Sequence, residues 1–143
     1  MVAYSNFIKR LYLSLQLMEL DFINNVNEFD ESVVRLYNFN REEAILFRDL
    51  IQTVIIKNTT RLDLSSIPFI ENRNCNLILG HFKTDEGILS SNHKTFYCAL
   101  TKEAYITMIG LLEPFCTKET KGYQYLYDID NPIDFLFSPA GTW

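Results

Sequence analysis

Glycine and proline are scarce in this 143-residue chain, five and four in all, and they are scattered along it. A phosphate-cradling loop needs clustered glycines so that backbone N–H groups can approach the anion, and no such cluster exists. Few turn formers and 48% apolar residues also exclude a disordered or low-complexity chain. Cys75, Cys98 and Cys116 are an odd number without close spacing, which describes no disulfide framework and fits a reducing compartment, the cytoplasm. No apolar run approaches the ~20 residues of a membrane-spanning helix, so no membrane role is expected. Lys9 and Arg10 do precede an apolar run, but Gln16, Glu19 and Asp21 interrupt it and no small-residue cleavage site follows, which argues against a secretory leader. Basic residues are the minority, 13 against 18 acidic ones for a net charge of −5, and none follows Lys121. Asp128, Asp130 and Asp134 therefore stand unopposed in an aromatic tail, a poor surface for a phosphate backbone. Nucleic-acid binding would need a face assembled from Arg35, Arg41, Arg48, Arg61 and Arg73, and is not expected.

What is present is a scaffold. Val33, Val34, Leu36, Tyr37 and Phe39 suit a half-buried strand. Asn40, with Glu43 three residues later, has the pattern of a capping box, in which each side chain bonds the other's backbone N–H, and Phe39 and Ala44 flank it as a staple. Ala44, Phe47, Ile51, Val54 and Ile55 then fall on one helical face. Before this unit, Leu11 to Leu20 alternates in a way that favours a strand, although Ile8, Leu11, Leu15, Met18 and Phe22 also share a helical stripe. After it, Leu62 and Leu64 alternate with polar neighbours as a strand would, and Pro68 makes Ile67 to Ile70 an edge, a bulge or a separate short strand. Cys75 to Phe82 and Thr95 to Leu100 read as strands on either side of an Asp85-Glu86-Gly87 turn, giving an antiparallel meander. Thr101 caps a second helix with Ala104, Tyr105, Met108, Ile109, Leu112 and Phe115 on its buried face, and Pro114 should end it near Leu112. Tyr123 to Phe137 reads as a hairpin turning at Asp130-Asn131-Pro132, and a turn at Ser138 to Gly141 brings Trp143 back toward the body, where packing is the expected role.

These elements predict one α+β domain over residues 1–143: two layers, an antiparallel or mixed sheet of five to seven strands, and two main helices on one face. The two strand-to-helix junctions, Phe39 to Ala44 and Leu100 to Tyr105, share a plan. Good helix starts resemble one another, so no duplication is inferred.

No catalytic constellation stands out. Cys75, His81, His93 and Cys98 have metal-ligand chemistry but lack the close pairs of structural zinc sites, so no metal or cofactor is expected. Asp128 to Pro132 lacks the glycine and distal glutamate of a calcium loop. The least bland surface candidate is the stripe Tyr123, Tyr125, Tyr127 beside Asp128, Asp130 and Asp134: core packing is its first reading, and a protein-binding face the second, since Tyr is enriched at protein interfaces. The expectation is a small cytoplasmic protein without catalytic activity, of inhibitor, immunity or adaptor kind, that binds another protein through this acidic, aromatic surface. Nothing in the sequence sets an oligomeric state. The rival expectation is a metal-dependent or hydrolytic enzyme built around His81 and His93 with Asp85 or Glu86.

Overall fold

The computed structural model describes residues 17–24 and 31–142. Most of the ambiguous run from Leu11 to Leu20, and Trp143 with its expected packing, lie outside the described residues. From Met18 the chain is strand β1 (Met18–Ile23), followed by β2 (Ser32–Tyr37) and helix α1 (Arg41–Leu50), which continues as a π-helical segment, Ile51–Lys57. Then come β3 (Leu62–Asp63), β4 (Ile70–Asn72), β5 (Asn76–His81), β6 (Gly87–Leu89) and β7 (Thr95–Leu100). Helix α2 (Lys102–Thr117), β8 (Gln124–Tyr125) and β9 (Ile133–Ser138) complete the described order.

The fold is α+β: the described residues form two helices, and their strands divide into two mixed sheets. The first runs β4-β1-β2-β9-β8 and the second β3-β5-β7-β6. Central strand β2 pairs antiparallel with β1 and parallel with β9. In the second sheet β5 and β7 are parallel neighbours, with β6 antiparallel on the far side of β7. The expected meander is therefore corrected: alternation assigns a residue to a face but does not name the neighbouring strand.

Each sheet sends a strand into a helix. After β2 the anticipated capping box is present, with the Asn40 N–H donating to Glu43 Oε1 at 2.7 Å, and Phe39 and Ala44 are both buried. After β7, the Thr101 hydroxyl accepts from the Ala104 N–H at 3.3 Å. The helices pack together over Phe137, whose ring lies 4.0 Å from Phe39, 5.9 Å from Phe47 and 5.2 Å from Phe115 between centroids. Met18, Leu20, Val34 and Leu36 of the first sheet and Leu77, Leu79, Phe96 and Leu100 of the second join one connected core.

Four local expectations shift. Helix α2 runs through Pro114 to Thr117 rather than ending near Leu112. The carbonyl that Pro114 leaves without a donor belongs to exposed Gly110, where water can serve it, and burial of Phe115 and Cys116 favours continuing the turn. The π segment follows from the crowded β-branched run Ile51 to Ile56: a wider turn lets Ile55 and Ile56 both face inward, and Asn58 N–H reaches back five residues to Thr53 O. The strand expected at Leu62 to Leu64 lasts two residues, because the Asp63 carboxylate accepts from Ser65 N–H and caps a 3₁₀ turn, Leu64–Ser66. The last turn spans Pro139 to Thr142, one residue later than expected, and places Gly141 at φ +84°, a conformation that glycine adopts without strain. There Ala140 N–H donates to Phe39 O, tying the tail to the start of α1.

Candidate protein-binding site

The β8–β9 hairpin divides the tyrosine stripe. Tyr125 pairs with Leu136, and Tyr123 and Tyr125 stay on the outside, 55% and 44% exposed, with their rings edge to face at 5.6 Å. Tyr127 is buried and leaves the surface. The ladder ends with the Leu126 N–H bonding to Phe135 O, after which the chain turns and Tyr127 enters the space between the sheets. Its hydroxyl accepts from Ile88 N–H at 3.1 Å and donates to Ile133 O. Burial pushes its phenol well above the ordinary value. Asn131 adds hydrogen bonds to Glu86 O (2.6 Å) and Ile88 O (3.2 Å). Together these two side chains occupy backbone groups of β6, the last strand of the second sheet, that would otherwise be open to another strand. Gly87 allows the close approach, since a Cβ there would stand 2.8 Å from Asn131 Nδ2 and 3.1 Å from the Tyr127 ring.

Beside Tyr125 lies a groove of about 610 Å³ whose charged rim is carboxylate: Glu31, Asp128 and Asp134 line it together with Thr107, Gln124 and the largely buried Tyr127, and among the described residues no lysine or arginine does. Its apolar wall comes from Leu111 of α2 and from Ile129. Burial, then Glu31 and Asp128, raise the Asp134 carboxyl above the ordinary aspartate value. The Tyr125 phenol is raised by burial and by Asp134, Tyr123 and Glu31. Asp130 is exposed and does not line the groove. Sequence reasoning missed Glu31, which lies just before β2, because only the parallel pairing of β2 with β9 brings it to Asp134. It missed Leu111 because the register of α2 against the hairpin is not a local property.

The residues of the rival enzyme do not converge. His81 ends β5 beside Leu100, whereas His93 precedes the start of β7, so about 16 Å or more of strand separates them. His81 Nε2 donates to Ile55 O at 2.7 Å, using a carbonyl in the π segment. His93 stacks on Phe96 with ring centroids 6.1 Å apart. Asp85 caps α2, accepting both the N–H and the hydroxyl of Thr101 at 2.8 Å, and Glu86 is exposed. Among the described residues no group of three His, Cys, Asp or Glu side chains is placed to hold a metal ion. The three cysteines are free and buried, and burial pushes the Cys75 and Cys98 thiols up to about 12, which keeps them from acting as thiolates near neutrality. Of the five arginines that a basic face would need, Arg35, Arg48 and Arg73 are ion-paired. No helix among the described residues is long and apolar enough to cross a membrane.

The fold and groove thus define an α+β protein with two mixed sheets and an acidic, aromatic recess at the edge of one of them. In comparison with known proteins, the chain matches no family model and no curated protein sequence.

Proposed function

We propose that this is a small protein-binding protein without catalytic activity of its own, of inhibitor, immunity or adaptor kind, and that it holds a basic segment of its partner in the groove beside β8. The observation that carries this reading is the lining of that groove: Asp128 and Asp134, with Glu31 beside them and no lysine or arginine among the described lining residues, next to two tyrosines about half exposed. Glu31 and Asp128 raise the Asp134 carboxyl by like-charge repulsion, and a partner's lysine or arginine relieves that repulsion as it binds. The tyrosine pair supplies contact area at low cost in side-chain entropy. A cytoplasmic location accords with three free cysteines.

The test compares the parent with an Asp128→Lys/Asp134→Lys double variant as bait in an extract of the source cell. A partner held by the parent at low salt, released as salt rises and absent from the variant supports the reading. Equal retention by the two baits, or a parent that retains nothing, rules it out.

A further inference from the structure

The second sheet has an outer face that the binding groove does not use. Cross-strand register sets Ile78 beside Tyr97 and Tyr97 beside Leu89, and in the next row Gly80 beside Ala99. The first row stands up as an apolar ridge, with Tyr97 46% and Leu89 45% exposed. Phe82, 44% exposed, follows the end of β5. Between them the small side chains of the second row leave a trough of about 280 Å³. Isolated exposed apolar residues need no explanation, but three large ones flanking a single trough form a patch.

Arg61 lines the trough. Its stem crosses the backbone of β5, since a Cβ built at Gly80 would stand 3.3 Å from Arg61 Cγ. Among the described residues no aspartate or glutamate lines the trough. The ion pairs of the described residues engage Arg35, Arg48 and Arg73, and none engages Arg61 although the chain carries five more acidic than basic residues. An apolar slot served by an unpaired guanidinium is complementary to a flat apolar group bearing one negative charge.

The geometry points to a binding site for a small aryl-bearing monocarboxylate: the ring lies in the trough between Tyr97 and Phe82, and the carboxylate meets Arg61. This site is separate from the acidic groove and selects the opposite charge.

The probe is 3-phenylpropionate, titrated into the ¹⁵N-labelled full chain alongside its neutral amide and 3-phenylpropylamine. Saturable shifts at Ile78, Tyr97 and Ala99 with the carboxylate, at least about tenfold weaker with the amide and absent with the amine, are expected. Arg61→Gln should weaken carboxylate binding by about tenfold or more. Ala99→Leu, a change on the outer face of a strand, should abolish binding while leaving the rest of the spectrum in place. No saturable shift, equal binding of all three probes, or full binding by Arg61→Gln would each overturn the site. Arg61 also lines a second groove of about 550 Å³ between α1 and the Leu62 to Phe69 segment. Binding that survives Ala99→Leu but not Arg61→Gln would assign the carboxylate to that groove and overturn the trough.

Discussion

The two sheets are built alike on the inside and differently on the outside. Each turns a row of aliphatic and aromatic side chains inward, and each passes a strand directly into a helix. Outside, the first sheet carries a polar network beside the buried Val33 and Leu136: Arg35 holds Asp21 through two hydrogen bonds of 2.7 and 3.0 Å, and its guanidinium lies 3.8 Å over the Tyr37 ring. Glu19 accepts from Asn38 at 2.6 Å and faces Arg73 at 3.7 Å. The second sheet carries Tyr97, Leu89 and Phe82 instead. The inner faces must match because one core joins them, whereas the outer faces are free to diverge. Differences between the sheets therefore point to binding, while their likeness points to stability.

The most severe way to break this comparison is to hollow out each inner face in turn. Phe137→Ala in the first sheet and Phe96→Ala in the second should each cost about 3–5 kcal/mol, measured by urea denaturation, since both rings are fully buried. A loss below about 1 kcal/mol for Phe96 would mean that the second sheet is only loosely joined to the core.

The junction between the sheets comes next. Tyr127→Phe keeps the ring but strands Ile88 N–H and Ile133 O, and should cost about 1–3 kcal/mol while speeding hydrogen exchange at β6 before β2. An unchanged exchange pattern would remove Tyr127 from the junction.

The outer faces should then respond unequally. Asp21→Asn weakens a half-buried charged pair and should cost about 1–2 kcal/mol in the same denaturation assay. Tyr97→Ser on the second sheet should stay within about 0.5 kcal/mol of the parent. Equal losses would show that the apolar face also serves stability.

The smallest effect is a pH dependence at the start of α1. Glu43 is buried, and its Oε2 has no hydrogen-bond partner. Burial raises its carboxyl above the ordinary value, with Glu42 and Glu119 adding to the shift against the opposing hydrogen bond from Asn40. A raised folded-state value means that the protonated form favours folding. That contribution is present below the unfolded value of about 4.3 and is lost as pH rises through the folded one. Glu43→Gln carries no such loss, so urea midpoints at acid and neutral pH should show the variant gaining on the parent as pH rises. A constant difference would place the shift elsewhere.

Much of this protein was legible before its structure. Asn40 with Glu43 and Thr101 announced both helices because a capping residue and its partner lie within one turn of each other. Thr95 to Leu100 was a strand to the residue, and the alternation in Cys75 to Phe82 contained β5. The candidate groove was half legible: Tyr125, Tyr127, Asp128 and Asp134 were named, whereas Glu31 and Leu111 arrive from the residue before β2 and from α2.

By itself the sequence determined the α+β class, the two helix starts and which face of most strands is apolar, because these depend on repeats of two or 3.6 residues that any short window contains. Only the tertiary structure decided that the strands form two sheets, that β5 lies parallel to β7, that Tyr127 turns inward and that α2 continues past Pro114. Those outcomes rest on which distant surfaces bury each other best and which buried polar groups find partners, and both are properties of the packed chain rather than of any segment of it.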